Sequence, residues 1–309
     1  MTSADTVDAG AAPLGAGRRR YGEDVVRIVL ALAALVSVLT TLGILIALLF
    51  PALEFFRQIS PVDFLTGTDW APLFEPAAFG VVPLIVGTLA VTVIAALVCV
   101  PFGLGAAIYL SEYAHPRVRA VLKPVLEVLV GVPTVVFGYF ALTFVTPHLR
   151  GLGINVEIFN ALSAGLVMGV MLIPIVASLS EDAMTAVPND LRAGAYALSG
   201  TRLQVSTRVV VPAAMSGIVA SFVLALSRGI GETMIVLIGA GTQPSLSFDP
   251  RRSIETLTSF IGNTANGDVP TGSIEYKTIF AVGLTLFVMT LALNMIAIRL
   301  VRRFREVYE

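Results

Sequence analysis

Six stretches of the chain run for 19 residues or more without a charged side chain: 28–53, 76–111, 128–149, 158–180, 209–227 and 278–298. A bilayer core about 30 Å thick takes about 20 residues of helix at 1.5 Å each. Every window meets that length or nearly so, and the fifth continues past its first charge. The second is too long for one upright helix. Its Pro83, Pro101, Gly103 and Gly105 predict a surface-lying entry and then a span ending near Leu110. The expectation is an all-α integral membrane protein with six spans, at about 26–50, 85–110, 124–147, 158–180, 213–238 and 278–300. Residues 1–24, rich in Ala, Gly, Asp and Arg, read as a flexible cytoplasmic tail ahead of one transmembrane domain, 25–309. The first window is longer than the apolar core of a secretory signal and lacks a small-residue cleavage pattern after Phe50.

Composition agrees. Only 13% of residues are charged and 56% are hydrophobic, with a mean hydropathy of +0.87. A soluble chain of this size carries about a quarter charged residues, so a water-soluble enzyme is excluded. A net charge of −1 argues against nucleic acid as a partner. Cys99 stands alone between valines, and with His115 and His148 it leaves too few soft ligands for a zinc cluster.

Lys and Arg set the orientation, because they concentrate on the cytoplasmic side. With the N-terminus inside, the inner face holds Arg18, Arg19, Arg20, Arg27, Arg117, Arg119, Lys123, Arg192, Arg202, Arg208, Arg299, Arg302, Arg303 and Arg305. The outer face holds only Arg57, Arg150, Arg251, Arg252 and Lys277. Both termini are therefore expected inside. Two sizeable segments, about 51–78 and 239–276, face outward, and the largest inner segment is 181–212.

Chemistry that would power such a chain is missing. Its two lysines, Lys123 and Lys277, follow Leu122 and Tyr276, so no Gly-Lys-Ser/Thr phosphate loop exists. Neither H-E-x-x-H nor G-x-S-x-G occurs. No cofactor is expected in the chain itself, and any Mg-ATP would be bound and hydrolysed by a partner.

The inner stretch 191–218, LRAGAYALSGTRLQVSTRVVVPAAMSGI, reads as helix, tight turn and second helix at the membrane surface. Gly200 suits a helix end, where a left-handed residue is often needed, and Pro212 suits the first turn of the next helix. By physics alone this also fits an amphipathic surface helix that closes a loop. The stretch resembles the EAA loop of ABC-importer permeases: Gly194-Ala195, Leu198, Thr201-Arg202 and Val211-Pro212-Ala213 fit its pattern. Ala193 occupies the acidic position, and the glycine position falls on Ser199, with Gly200 one place later. The resemblance implies that Ala193, Gly194, Ala195, Ser199, Gly200, Thr201, Arg202 and Pro212 belong to a coupling element that docks on an ATPase.

Further stretches narrow the family. SPVDFLTGTDWAP (60–72), FGVVPLIVGTLAVT (79–92), AIYLSEYAHPRVRAVLKPVLE (107–127), GVPTVVFG (131–138) and SRGIGETM (227–234) resemble the PstC-type permease of bacterial phosphate importers. That likeness runs from about Ser60 to Arg303. It implies a type I ABC importer permease in the bacterial cytoplasmic membrane. The implied partners are a homologous PstA-like permease, two PstB-like ATPase subunits and an extracytoplasmic PstS-like phosphate-binding protein.

Between Val209 and Phe248 the only charges are Arg228 and Glu232. Each costs about 2.5–3.5 kcal/mol at a helix centre on insertion scales. On one continuous helix, i,i+4 spacing puts them on one face and within reach of each other. Gly229 and Gly231 would leave that face open to close approach. One reading is an ion pair that pins two helices. The other is an anion contact, because a guanidinium is a planar fork that stays charged. The resemblance favours the second and puts Arg228, Glu232, Gly229 and Gly231 on a phosphate pathway, with Glu232 holding Arg228 when the path is empty. A permease for molybdate or sulfate is the alternative within the class. A self-sufficient secondary transporter or channel is the alternative outside it, although the inverted repeats of such transporters are not evident. A purely structural scaffold fits poorly with so costly a pair.

Three minor features complete the reading. Gly165-x-x-x-Gly169 permits close helix packing inside the chain. Lys123 and Glu127 read as snorkelling residues before span three. Trp70, Phe74 and Phe79 read as aromatics of the membrane interface.

Overall fold

The computed structural model describes residues 21–303; the tail residues 1–20 and Arg305 lie outside the described residues. The chain divides into two compact units, Met1–Leu49 and Phe50–Glu309. In chain order the elements are α1 (Tyr21–Phe56), α2 (Pro61–Thr66), the paired strands β1 (Trp70–Ala71) and β2 (Ala78–Phe79), α3 (Val82–Ile108), α4 (Pro116–Val130), α5 (Thr134–Phe140), α6 (Thr146–Gly151), α7 (Ala161–Thr185), α8 (Asn189–Ala197), α9 (Arg202–Val205), α10 (Val211–Ala213), α11 (Met215–Ile230), α12 (Met234–Gly239), α13 (Leu257–Asn266) and α14 (Ile274–Arg303). Single π-helical turns follow α3, α5 and α9.

The first unit contributes one uninterrupted apolar helix, the greater part of α1. Among the described residues, four helices are long and apolar enough to cross a membrane: Val25–Phe56, Val82–Tyr113, Ala161–Thr185 and Ile274–Arg299. Two bent pairs bring the total to as many as six when each pair is counted as one span: Pro116–Val130 with Thr134–Gly151, bent by 88°, and Arg202–Ala213 with Met215–Ile230, bent by 71°. Each bend has a local cause. Gly131 and Pro133 break the first pair; in the second, the helix that contains Pro212 stops after a single turn, at Ala214.

The second window differs from expectation. A two-stranded ladder, Trp70 opposite Phe79 and Ala71 opposite Ala78, leads into α3, which starts at Val82 with no surface-lying entry. Pro83 sits in the first turn, where its missing N–H costs nothing. Pro101 is accommodated inside the helix.

Helices α3 and α7 form the centre of the second unit. A Cβ on Gly165 would come within 2.7 Å of Ile94 Cβ, and one on Gly169 within 2.6 Å of Val98 Cβ. From the other side, a Cβ on Gly103 would lie 2.6 Å from Val176 Cβ. Small residues at helical spacing thus let the two backbones approach, as the GxxxG pattern predicts. Around that contact Ala95, Met168, Leu172, Val176 and Ala225 are fully buried.

A second core joins the two outward segments. Trp70 is buried, with its ring edge-on to Phe260 at 4.9 Å and to Phe64 at 6.1 Å. It is a core residue and not the interface aromatic expected; Phe79 is half-buried and Phe74 exposed. The start of α13 is fixed by a Thr256–Ser259 capping box and by Thr88 Oγ1, which accepts from Leu257 N at 3.0 Å.

Candidate transport pathway and coupling surface

Arg228 stands in the last turn of α11, and its helix ends two residues later. Gly231–Thr233 interrupt the expected continuous span, and α12 begins at Met234. Arg228 and Glu232 are therefore not on one helical face. No ion pair joins them, and among the described residues no hydrogen bond or salt bridge reaches the exposed Arg228 guanidinium. Glu232 is buried and turned to the break, where Oε1 accepts from Met234 N at 3.2 Å. Its carbonyl accepts from Thr258 Oγ1 at 2.7 Å, so α13 holds the broken segment from the outer side.

The glycines divide the roles expected of them. Gly229 is buried, and a Cβ there would meet Leu172 Cδ1 at 3.2 Å; it packs α11 on α7 and does not open the Arg228 face. Gly231 is exposed, lies in the break, and would contact only its own turn. The contact of Gly229 with Met168 and Leu172 also gives the depth. It lies roughly 10–17 Å in from the outer end of α7, counted at 1.5 Å per residue. Arg228 is thus in the outer half of the membrane, close to the middle.

Ala220, Leu224 and Arg228 form an exposed stripe at four-residue spacing along α11. Beside it lies an open cleft of about 780 Å³ between α11 and α14, lined by Ser216, Ala220, Leu224, Asn294 and Ile298 among others. Ser227 Oγ donates to Asn294 Oδ1 at 2.9 Å and ties the two helices at its edge. A mid-membrane cation with no partner among the described residues, on a face bearing small and apolar groups, can attract an anion that passes along that face.

At the inner end, α8 stops in a Schellman motif. Ser199 N donates to Tyr196 O at 2.9 Å and Gly200 N to Ala195 O at 3.1 Å. The left-handed residue is Ser199, at φ 60°, and not Gly200 as expected. Gly200 is needed for a different reason: a Cβ there would lie 2.8 Å from Ala195 O. Thr201 then opens α9 with a full capping box, reciprocated by Gln204. Ala193, Gly194, Ser199, Thr201, Arg202 and Pro212 are exposed, Ala195 and Gly200 half-buried, and Leu198 stands out at 87% exposure. Val205 is buried under this surface against Met184, Val210 and Ile218.

Two groups of ion pairs that the sequence reading missed hold this end in place. Arg192 donates to the α7-end carbonyls of Met184 at 2.8 Å and Val187 at 2.9 Å, and pairs with Glu112 at 3.0 Å. Glu181, fully buried, accepts from both Arg119 and Lys123, and Lys123 also reaches Asp182 at 2.6 Å. Lys123 is therefore not a snorkelling cap. The signal was the Arg119-x-x-x-Lys123 spacing, which puts two cations on one face of α4.

A helical membrane chain with this inner surface and these bent spans is a permease of the type I ABC importer class. Solved permeases share its fold. A bacterial ABC transporter involved in import of the acidic polysaccharide alginate matches at TM-score 0.60 and 17% identity, covering 93% of this chain and 100% of that one. An inward-facing MetNI methionine ABC transporter matches at TM-score 0.58 and 17% identity, covering 76% and 100%. The chain belongs to the family described as binding-protein-dependent transport system inner membrane component, which matches residues 99–306. Among curated relatives, the probable ABC transporter permease protein YqgH of Bacillus subtilis is 36% identical over 85% of this chain and 86% of its own length. The phosphate transport system permease protein PstC of Haemophilus influenzae is 32% identical over 84% and 87%. The chain is a transport component of the bacterial inner membrane.

Proposed function

We propose that this chain is the permease subunit of an ATP-driven phosphate importer, enclosing the pathway together with a homologous PstA-like permease. The observation that carries the reading is Arg228: a cation near mid-membrane, unpaired among the described residues, on the open face of α11. The names of PstC relatives supply the substrate. A guanidinium offers parallel N–H donors to a tetrahedral oxyanion and keeps its charge at any working pH. Glu232 sets the turn beyond it and so positions Arg228, while Gly229 seats α11 on α7 and Gly231 allows the break. On the inner side, Ala193–Arg202, followed by Pro212, dock on PstB-like ATPase subunits that bind Mg-ATP. Their closure drives the bent span, and phosphate delivered by a PstS-like protein passes Arg228 inward.

The test is the complete transporter in liposomes. Phosphate, delivered with its binding protein, should stimulate ATP hydrolysis and uptake, and Arg228→Gln should abolish uptake while the complex still assembles. Stimulation by molybdate or sulfate in place of phosphate would move the chain to another oxyanion. Uptake by this chain alone would overturn the class of mechanism.

A further inference from the structure

The two outward segments meet around a cavity of about 520 Å³ for which the transport reading has no use. Its walls include Trp70 and Phe74 from the first segment, Glu255 just ahead of α13, and Phe260, Asn263 and Asp268 on and after that helix. Trp70 is 5% exposed, and Phe260 holds its ring edge-on. Yet its Nε1–H has no hydrogen-bond partner among the described residues. Buried donors are almost always paired. An unmet one beside a cavity calls for acceptors from outside the chain.

Charge decides what brings them. No Lys or Arg lines the cavity, whereas two carboxyl groups do, Glu255 buried and Asp268 exposed. Burial pushes the Glu255 carboxyl up to about 7, with the Asn263 amide acting in the opposite direction. A free oxyanion would face both carboxyls with no cation to offset them, so this is no stop for the transported anion. A metal ion would find the Trp70 N–H donor, and the described residues hold no cluster of three metal-ligating side chains. A cationic head on an apolar stem fits, provided a backbone carbonyl beside it reaches the Trp70 donor. That is a Lys or Arg within a protein loop. The mouth agrees, since Leu73 and Phe74 are 53% and 72% exposed and the adjoining Asp69 and Glu75 are exposed acids. An apolar anchor edged by one sign of charge suits a protein contact of opposite charge.

We propose that this outer cavity receives a Lys- or Arg-bearing loop of the extracytoplasmic binding protein. The proposal rests on the reading that the transporter works with such a protein. The complete transporter in proteoliposomes is titrated with phosphate-loaded binding protein, and ATP hydrolysis is followed. The concentration for half-maximal stimulation should rise about ten-fold in Glu255→Gln and about five-fold in Phe74→Ala, with the maximal rate regained at saturation. Phe74 is exposed, so its truncation probes the contact without disturbing the core. In the native transporter the same concentration should fall as pH rises from about 6 to 8, because the carboxylate that holds the cation forms as pH passes about 7. Asp268, Asp69 and Glu75 remain in Glu255→Gln, which should lose that dependence. Unchanged half-saturation in both variants would overturn the proposal and leave the transporter reading standing. A native complex that the binding protein fails to stimulate would overturn that reading and the proposal with it.

Discussion

The inner end of the second unit and its middle handle charge in opposite ways. At the inner end, Glu181 is fully buried and met by two cations, Arg192 is bonded to two carbonyls and Glu112, and both α8 and α9 are capped. In the middle, Arg228 has no partner among the described residues, and the helix that carries it ends two residues later. A charge satisfied inside its own chain fixes packing. A charge left unsatisfied at a depth where it is costly is available to something that is not part of the chain. The contrast separates a lever, which must be stiff, from a pathway, which must not be closed by its own groups.

The contrast breaks most readily at Glu181. Removing its charge leaves Arg119 and Lys123 facing an apolar site, and the loss of one partner of a buried pair costs about 3–5 kcal/mol. Because the two cations are 34% and 28% exposed, Glu181→Gln should fall near the low end, about 3 kcal/mol. Thermal unfolding of the purified complex reads this directly. A loss under about 0.5 kcal/mol would show that the inner end owes its stiffness to something else.

Arg228→Gln tests the other side and should do the reverse. Unfolding should be unchanged, since no hydrogen bond or ion pair among the described residues is lost. Uptake should fall at least about 30-fold, the equivalent of one charge-assisted hydrogen bond of about 2 kcal/mol. Arg228→Lys should recover part of the activity, because it keeps the charge but loses the planar fork. A variant that loses stability along with uptake would make Arg228 a packing residue after all.

How much of this was legible depends on the physics behind each signal. The four long apolar helices and the two bent pairs follow from charge-free length, and the Gly165–Gly169 contact from small residues at helical spacing; both are local properties of the chain. Arg228 stood out because its surroundings lack charge. Glu181 does not, since the charge-free window ends at Ser180 and by that signal Glu181 falls in the inner loop, although α7 continues to Thr185. Its partners lie some sixty residues earlier, and only tertiary packing brings them together. The break after Ile230 was also hidden. Gly231 is a weak helix former, but the segment is otherwise as apolar as a continuous span, and what ends the helix is a carboxylate that bonds Met234 N and a threonine from α13. Trp70 was misplaced for a similar reason: its burial depends on Phe260, nearly two hundred residues away.

The smallest expected effect sharpens the contrast at Ser199, where the inner end carries a local cost. This residue holds φ at 60°, a conformation that costs a non-glycine residue about 1–2 kcal/mol and glycine almost nothing. Its N–H closes the Schellman motif from outside the helix, and the exposed side chain makes no hydrogen bond among the described residues. Ser199→Gly should therefore stabilise the turn by about 0.5–1 kcal/mol, the gain being reduced by glycine's greater freedom in the unfolded chain. If α8 and α9 act as a stiff lever, the variant should unfold at a slightly higher temperature while uptake per ATP hydrolysed is unchanged. A fall in that ratio without a change in stability would mean that the serine hydroxyl itself meets the ATPase, and that the inner end, like the middle, keeps a polar group in reserve for a partner.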